Sequence, residues 1–267
     1  VRRRCAPGSE WLYAKLYTGE ATADAILREV VAPVVSAARL RGAVDRWFFV
    51  RYGDPDWHLR LRLCGEPARL RGEVLPLLEQ AVDGALVAGR VWRFQLDTYD
   101  RELERYGGAD GMLASERLFG ADSDAALTML DELAAGDAHA RWRTTLRAMD
   151  QLLDDLGLSL PLKHRLLQSC SAGYRREFRA DGLLARQIGD RFRVHRPALE
   201  ALLDDDGLSP AIAATLANRS QHIRAVAADL RAHAAAGRLT GSILDLAPAT
   251  CTCTPTACST QRPAPKS

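Results

Sequence analysis

The chain has 267 residues, 47% hydrophobic and 26% charged, with a formal net charge of +2. That is enough length for one large domain or two small ones with ample core. The near-neutral balance gives no argument for nucleic acid, and no run approaches the ~20 apolar residues that a membrane span requires.

Finer composition adds two points. Lys15, Lys163 and Lys266 are the only lysines, so arginine carries the cationic chemistry. Cys5, Cys64 and Cys170 are scattered, which fits reduced thiols better than a disulfide framework. With no apolar signal segment behind the opening VRRRCAPGSE, a basic polar arm over residues 1–10, a cytoplasmic protein is expected.

WLYAKLY alternates Leu12, Ala14 and Leu16 against Tyr13, Lys15 and Tyr17, which predicts a strand. Apolar spacing at Ala25, Ile26, Val30, Val34 and Val35 predicts a helix over 22–40. DRWFFVRYG and WHLRLRLCG read as strands joined by the turn Gly53-Asp54-Pro55-Asp56. A helix over 68–88 ends at Gly89, and RVWRFQLDTY is a further strand. The order β-α-β-β-α-β predicts an α+β protein with a ferredoxin-like antiparallel sheet. Beyond it come a short helix in DTYDRELERYGG and helices near 112–119, 124–133, 138–156, 160–178, 196–203 and 210–236. This mainly helical half is expected to pack on the sheet.

In such a sheet two helices cover one face. Leu59, Leu61 and Leu63 must lie beneath them, with Leu12, Ala14 and Leu16, and with Trp92, Phe94 and Leu96 from the last strand. Their alternates then gather Lys15, His58, Arg60, Arg62 and Arg93 on the other face. A cationic cluster on central strands costs repulsion and desolvation unless anions answer it, and a bound anionic ligand is the expected answer. On the short predicted helix, Tyr99, Glu102, Leu103 and Tyr106 share one side, and Arg105 lies one turn from Glu102. A solvated face and a surface ion pair are the plainer alternatives.

Taken together, WLYAKLYTG, DRWFFVRYGDPDWHLRLRL, DTYDRELERYGG and MLASERLFGADSDAAL resemble the C-terminal domain family of lantibiotic dehydratases, and its thiopeptide-type branch in particular. The resemblance runs from about Trp11 to Leu246 and implies one elimination domain, with a sheet half over 11–99 and a helical half over 100–246. In that family a partner transfers glutamate from glutamyl-tRNA to Ser or Thr of a precursor peptide. The C-terminal domain then eliminates it, leaving dehydroalanine or dehydrobutyrine. The family's functional residues fall on Arg60, Arg62, Glu102 and Arg105, with the arginines as carboxylate and enolate stabilisers and Glu102 orienting an arginine or relaying a proton. Lys15, Arg51, His58, Arg93 and Tyr99 are candidate substrate-binding residues, although Arg51 belongs to the opposite register from Arg60. No cofactor and no metal are implied. The partners implied are the precursor peptide and the glutamylating protein of the same pathway, with no direct nucleic acid and no membrane; a homodimer is one assembly it allows. Two alternatives stand beside elimination: a pyridine-forming cycloaddition, and a non-catalytic module that docks a peptide or partner.

The family also uses a histidine in a His-Met-x-x-Asn-Arg block after a segment like LTGSILDLAP. The chain instead continues as ATCTCTPTACS, with Cys251, Cys253 and Cys258. Three thiolates without a scaffold make zinc an improbable reading. Written in suitable codons and read one base earlier, that stretch becomes Tyr-Val-His-Met-His-Ala-Asn-Arg-Leu-Leu. A frame shift near Pro248–Ala249 is the expected origin of residues 247–267, with a fused precursor-like peptide as the alternative; the tail is expected to be disordered and to leave elimination impaired. His222 is read as a helix-face histidine.

Overall fold

The structure is a computed structural model that describes residues 1–135, 140–177, 182–203, 208–241 and 246. The tail over 247–267 lies outside the described residues.

In chain order the elements are β1 (Arg4–Cys5), β2 (Trp11–Tyr17), α1 (Ala23–Ile26), α2 (Ala32–Leu40), β3 (Arg46–Tyr52), β4 (His58–Cys64), α3 (Pro67–Arg69), α4 (Leu75–Val87), β5 (Arg93–Leu96) and β6 (Tyr99–Asp100). Five longer helices follow: α5 (Ala109–Ala135), α6 (Ala140–Asp155), α7 (Leu160–Glu177), α8 (Gly182–Leu203) and α9 (Pro210–Ala235). The two helices expected over the sheet are each interrupted. A π-helical turn, Leu27–Val31, joins α1 to α2, and another, Leu70–Val74, joins α3 to α4. The cause is shared. Pro33 and Pro76 follow these turns, and a proline cannot donate and crowds the carbonyl four residues back, so the backbone widens ahead of it. Glu66 caps α3 by accepting from the Ala68 and Arg69 amides, with Pro67 at the first helical position.

The main sheet is antiparallel with the order β3-β4-β2-β5, so β2 and β4 are central. Leu12, Ala14, Leu16, Leu59, Leu61, Leu63, Trp47 and Phe49 pack with Ile26, Val30, Leu78 and Val82 on one face. Trp11, Tyr13, Phe48 and Tyr99 pack with Met112, Phe119, Leu152, Ile223 and Leu230 on the other. The helical half thus roofs the second face, as the pattern required.

Four expectations change. DTYDRELERYGG is no helix: Tyr99–Asp100 pairs with Arg4–Cys5, and turns follow to Gly107 and Gly108, both at positive φ. The opening residues are correspondingly more than an arm, since Cys5 is fully buried. The helices read at 112–119 and 124–133 are one 27-residue helix. Gly120 does not break it; a Cβ there would meet the Trp47 carbonyl oxygen at 3.1 Å, so the residue permits close packing on β3. Trp92, expected to be buried, is 54% exposed at the start of the edge strand β5.

Candidate functional site

The register sets the site. Arg62 lies opposite Tyr13 and Phe48, Arg60 opposite Lys15 and Val50, and His58 opposite Tyr17 and Tyr52. All these side chains therefore share the face away from α1–α4. Arg51 pairs with Leu59 and lies on the helix side, where it forms an ion pair with Asp24 at 2.5 Å. Its alternation places it away from the cationic face, as a structural partner.

The face divides into two aromatic nests. In the first, the Arg62 guanidinium lies 4.6 Å from the Tyr13 ring, 4.6 Å from Tyr99 and 5.1 Å from Phe48. Its Nε is buried and, among the described residues, has no hydrogen-bond acceptor. The rings supply a weak attraction without a full counter-charge. In the second, Arg60 lies 3.4 Å from the Tyr52 ring centre and Arg93 3.6 Å from that of Tyr17. His58 stacks on Tyr17 at 4.8 Å between them. Lys15 separates the nests and is held by Asp97 at 2.5 Å. Burial pushes the Asp97 pKa up, but hydrogen bonds from Lys15 and the Thr98 amide outweigh it and hold the carboxyl below its usual range.

The tautomer of His58 follows from its neighbours. Its Nδ1 is 2.7 Å from the Asp56 carbonyl and must donate there, so Nε2 accepts from Arg60 Nε at 3.1 Å. Burial first, then the charges of Arg60, Lys15 and Arg93, lower its pKa to about 4, against the opposing pull of the Asp56 carbonyl. An unfolded histidine takes its proton near pH 6.5 and the folded ring only near 4, so stability is lost as pH falls through that window, by at most about 1.4 kcal/mol per pH unit. The His58 Cε1 proton should accordingly show no titration in NMR spectra above pH 5. A midpoint near 6.5 would mean that Arg60 is not its donor.

Glu102 and Arg105 sit on the exposed turn and pair with each other at 2.8 Å. Arg105 also lies 5.8 Å from the Tyr106 ring. Tyr106 packs on Phe119 at 5.5 Å, Phe119 on Phe48 at 5.4 Å, and Phe48 lies beside Arg62. Aromatic packing thus joins the turn to the first nest. His222 is exposed on α9, with Nδ1 2.9 Å from the Asn218 carbonyl.

Sequence reasoning missed the group behind Tyr99. The Glu116 carboxylate is fully buried; it takes two bonds from Arg101, at 2.6 and 3.2 Å, one from Arg46 at 3.3 Å and one from the Tyr99 hydroxyl at 3.0 Å. Burial, and then the Glu116 charge, push the Tyr99 phenol far above its usual range, so it stays a donor. A signal was present: Glu116 stands in the apolar run Met112, Ala114, Leu118, Phe119, and a carboxylate on a buried helix face demands cationic partners. Among the described residues no group of three or more His, Cys, Asp or Glu side chains has a metal-holding arrangement.

Residues 11–254 match the family model described as lantibiotic biosynthesis dehydratase C-term. The nisin biosynthesis protein NisB of Lactococcus lactis subsp. lactis is 36% identical over 124 residues, which cover 46% of this chain and 12% of that protein. The chain therefore spans about an eighth of the length of that relative. The tRNA-dependent lantibiotic dehydratase MibB from Microbispora sp. 107891 superposes with a TM-score of 0.72 at 26% identity, covering 96% of this chain and 27% of that one. TbtD, the pyridine synthase from thiomuracin biosynthesis, shares the fold with a TM-score of 0.67 at 16% identity, over 91% of this chain and 89% of that one. The chain belongs to the lantibiotic biosynthesis dehydratase C-terminal family.

Proposed function

We propose that the chain eliminates glutamate from glutamylated Ser and Thr side chains of a ribosomal precursor peptide, leaving dehydroalanine and dehydrobutyrine. The observation that carries this reading is Arg62: a guanidinium caged by three rings, with an inward Nε lacking an acceptor among the described residues. In the reaction a base removes the α-proton, the electron pair forms the Cα=Cβ bond, and the Cβ–O bond breaks to release glutamate as a carboxylate. Enolate charge builds on the peptide carbonyl while carboxylate charge builds on the leaving group. Arg62 and Arg60 answer these charges, bidentately where a carboxylate presents both oxygens. Arg105 adds a third guanidinium from the turn and Glu102 orients it. Lys15, His58, Arg93 and Tyr99 shape the surroundings. Residues 11–246 act as one elimination domain with a ferredoxin-like sheet half, a reading that the central placing of β2 and β4 supports. It works in the cytoplasm beside a glutamyl-tRNA-dependent glutamylating protein.

The fold shared with a pyridine synthase over most of both chains favours cycloaddition as a second reading. Product masses separate the two. The chain is to be incubated with an O-glutamyl-serine peptide and with a polydehydroalanine peptide. Elimination converts the first by loss of glutamate and leaves the second unchanged; conversion of the second alone overturns the proposal. A version whose codons after Pro248 are returned to the frame encoding the His-Met block should work about 10²–10⁴-fold faster, the usual contribution of one acid–base group. Equal rates would remove the frame shift as a cause of impairment.

A further inference from the structure

The two edges of the main sheet are treated differently. Strand β3 is covered by α5, and the Phe49 amide donates to Ser123 Oγ at 3.1 Å. Among the described residues, strand β5 borders only β2. An uncovered strand edge is a template for another extended chain, and most proteins blunt it.

Which backbone groups face outward follows from the register. Gly65 N bonds Glu10 O and Thr18 N bonds Trp57 O, so the even-numbered residues of β2 exchange hydrogen bonds with β4. The odd ones, Tyr13, Lys15 and Tyr17, are left for β5, and the Asp97 amide indeed donates to Tyr13 O at 3.0 Å. The ladder therefore uses Gln95 and Asp97, and at its far end the Trp92 amide donates to Tyr17 O at 3.0 Å. The amides and carbonyls of Phe94 and Leu96 point away from the sheet, and no hydrogen bond to them from another described residue closes the edge.

Side-chain exposure falls inward from the same edge, from 47% at Arg93 and 35% at Asp97 to 17% at Lys15 and full burial of Phe48 beneath α5. Among the described residues the cationic face is thus open over β5 and roofed over β3. Exposed Trp92 stands at the head of this opening.

We propose that β5 is the docking strand for the substrate: an extended peptide pairs with the outward groups of Phe94 and Leu96 and so extends the sheet by one strand. This rests on the elimination reading for the identity of the peptide. Backbone pairing is indifferent to side-chain identity, which suits a segment processed at several residues. Alternate side chains of the added strand fall on the cationic face beside Arg93, Gln95 and Asp97. Arg60 lies three strand spacings away, about 14 Å. An extended serine ester of glutamate reaches about 8–9 Å and an arginine about 6 Å from their Cα atoms, by ordinary bond lengths. The two meet over Lys15.

Amide exchange of the full chain, with and without a short synthetic Ser/Thr-rich peptide carrying one O-glutamyl serine, tests the proposal. Protection at Phe94 and Leu96 should rise by about tenfold or more, with Gln95 unchanged because its amide is already paired. The unglutamylated peptide should give the same pattern, since pairing uses only backbone. Leu96→Pro removes an outward amide and no ladder bond, and should weaken peptide binding by at least about tenfold. Bound peptide without protection at Phe94 and Leu96, or unchanged affinity in a folded Leu96→Pro, overturns the proposal. Conversion of the peptide with β5 unprotected sinks the docking strand alone; protection without conversion of the glutamylated peptide sinks the elimination reading alone.

Discussion

Arg62→Ala is expected to lower kcat/KM for glutamate elimination by about 10²–10³-fold, the cost typical of removing one donor that stabilises developing negative charge. Its thermal midpoint should move by only a few degrees. The asymmetry follows from what Arg62 touches. Its stabilising contacts in the folded chain are three ring faces, together worth on the order of 1–2 kcal/mol. What it offers a ligand is the larger quantity, because among the described residues no carboxylate neutralises its charge and only ring faces surround it. Arg62→Lys should recover little. An ammonium keeps the charge but loses the planar fork that can offer two parallel donors to a carboxylate. Arg60 is the informative comparison: its Nε already serves His58, so Arg60→Ala also frees the His58 ring and should shift the pH profile. Rates are read as dehydrated product by mass spectrometry, and Tm by calorimetry. A folded Arg62→Ala within threefold of the parent would remove Arg62 from the site.

The partition of the sheet was legible in HLRLRL alone. A strict alternation of Leu59, Leu61 and Leu63 with His58, Arg60 and Arg62 allows one assignment of faces, and a one-residue slip would bury two arginines and a histidine under α1–α4. The partners of those cations were less legible, because they come from elsewhere in the chain. Tyr99 and Tyr106 have helical spacing with Glu102 and Leu103, yet one ring is buried from strand β6 and the other from the turn after it. What decides the matter is the pairing of Tyr99 with Cys5, a contact across nearly a hundred residues that no local pattern encodes. Trp92 was misplaced for a related reason: period two predicts a buried side, but Trp92 precedes the short edge strand β5 and is 54% exposed. Glu116 was readable in principle, as a charge in an apolar helical run, and was passed over because its cations, Arg46 and Arg101, are distant in sequence.

Glu116→Ala should be the most destabilising single substitution at the site, by about 3–5 kcal/mol, the usual cost of stranding a buried charge. Arg101 is only 5% exposed and would lose both oxygens of its bidentate partner; Arg46 and the Tyr99 hydroxyl would each lose an acceptor. For a domain of this size that corresponds to a fall in Tm of roughly 6–20 °C. Glu116→Gln should cost less, because the amide oxygen still accepts one bond. The double variant Glu116→Ala with Arg101→Met should recover part of the loss, since it removes the stranded guanidinium and leaves an apolar chain against Trp11 and Tyr99. Recovery is the decisive reading: if the double variant is less stable than Glu116→Ala by the full cost of Arg101→Met alone, the two residues are not coupled. The same carboxylate ties three regions together: Arg101 on the turn after β6, which also donates to the Arg2 carbonyl at 2.7 Å, Arg46 on β3, and Tyr99 in the wall around Arg62. Loss of Glu116 should therefore loosen β1 along with the cationic face, and amide exchange at Cys5 should accelerate in step with the fall in Tm.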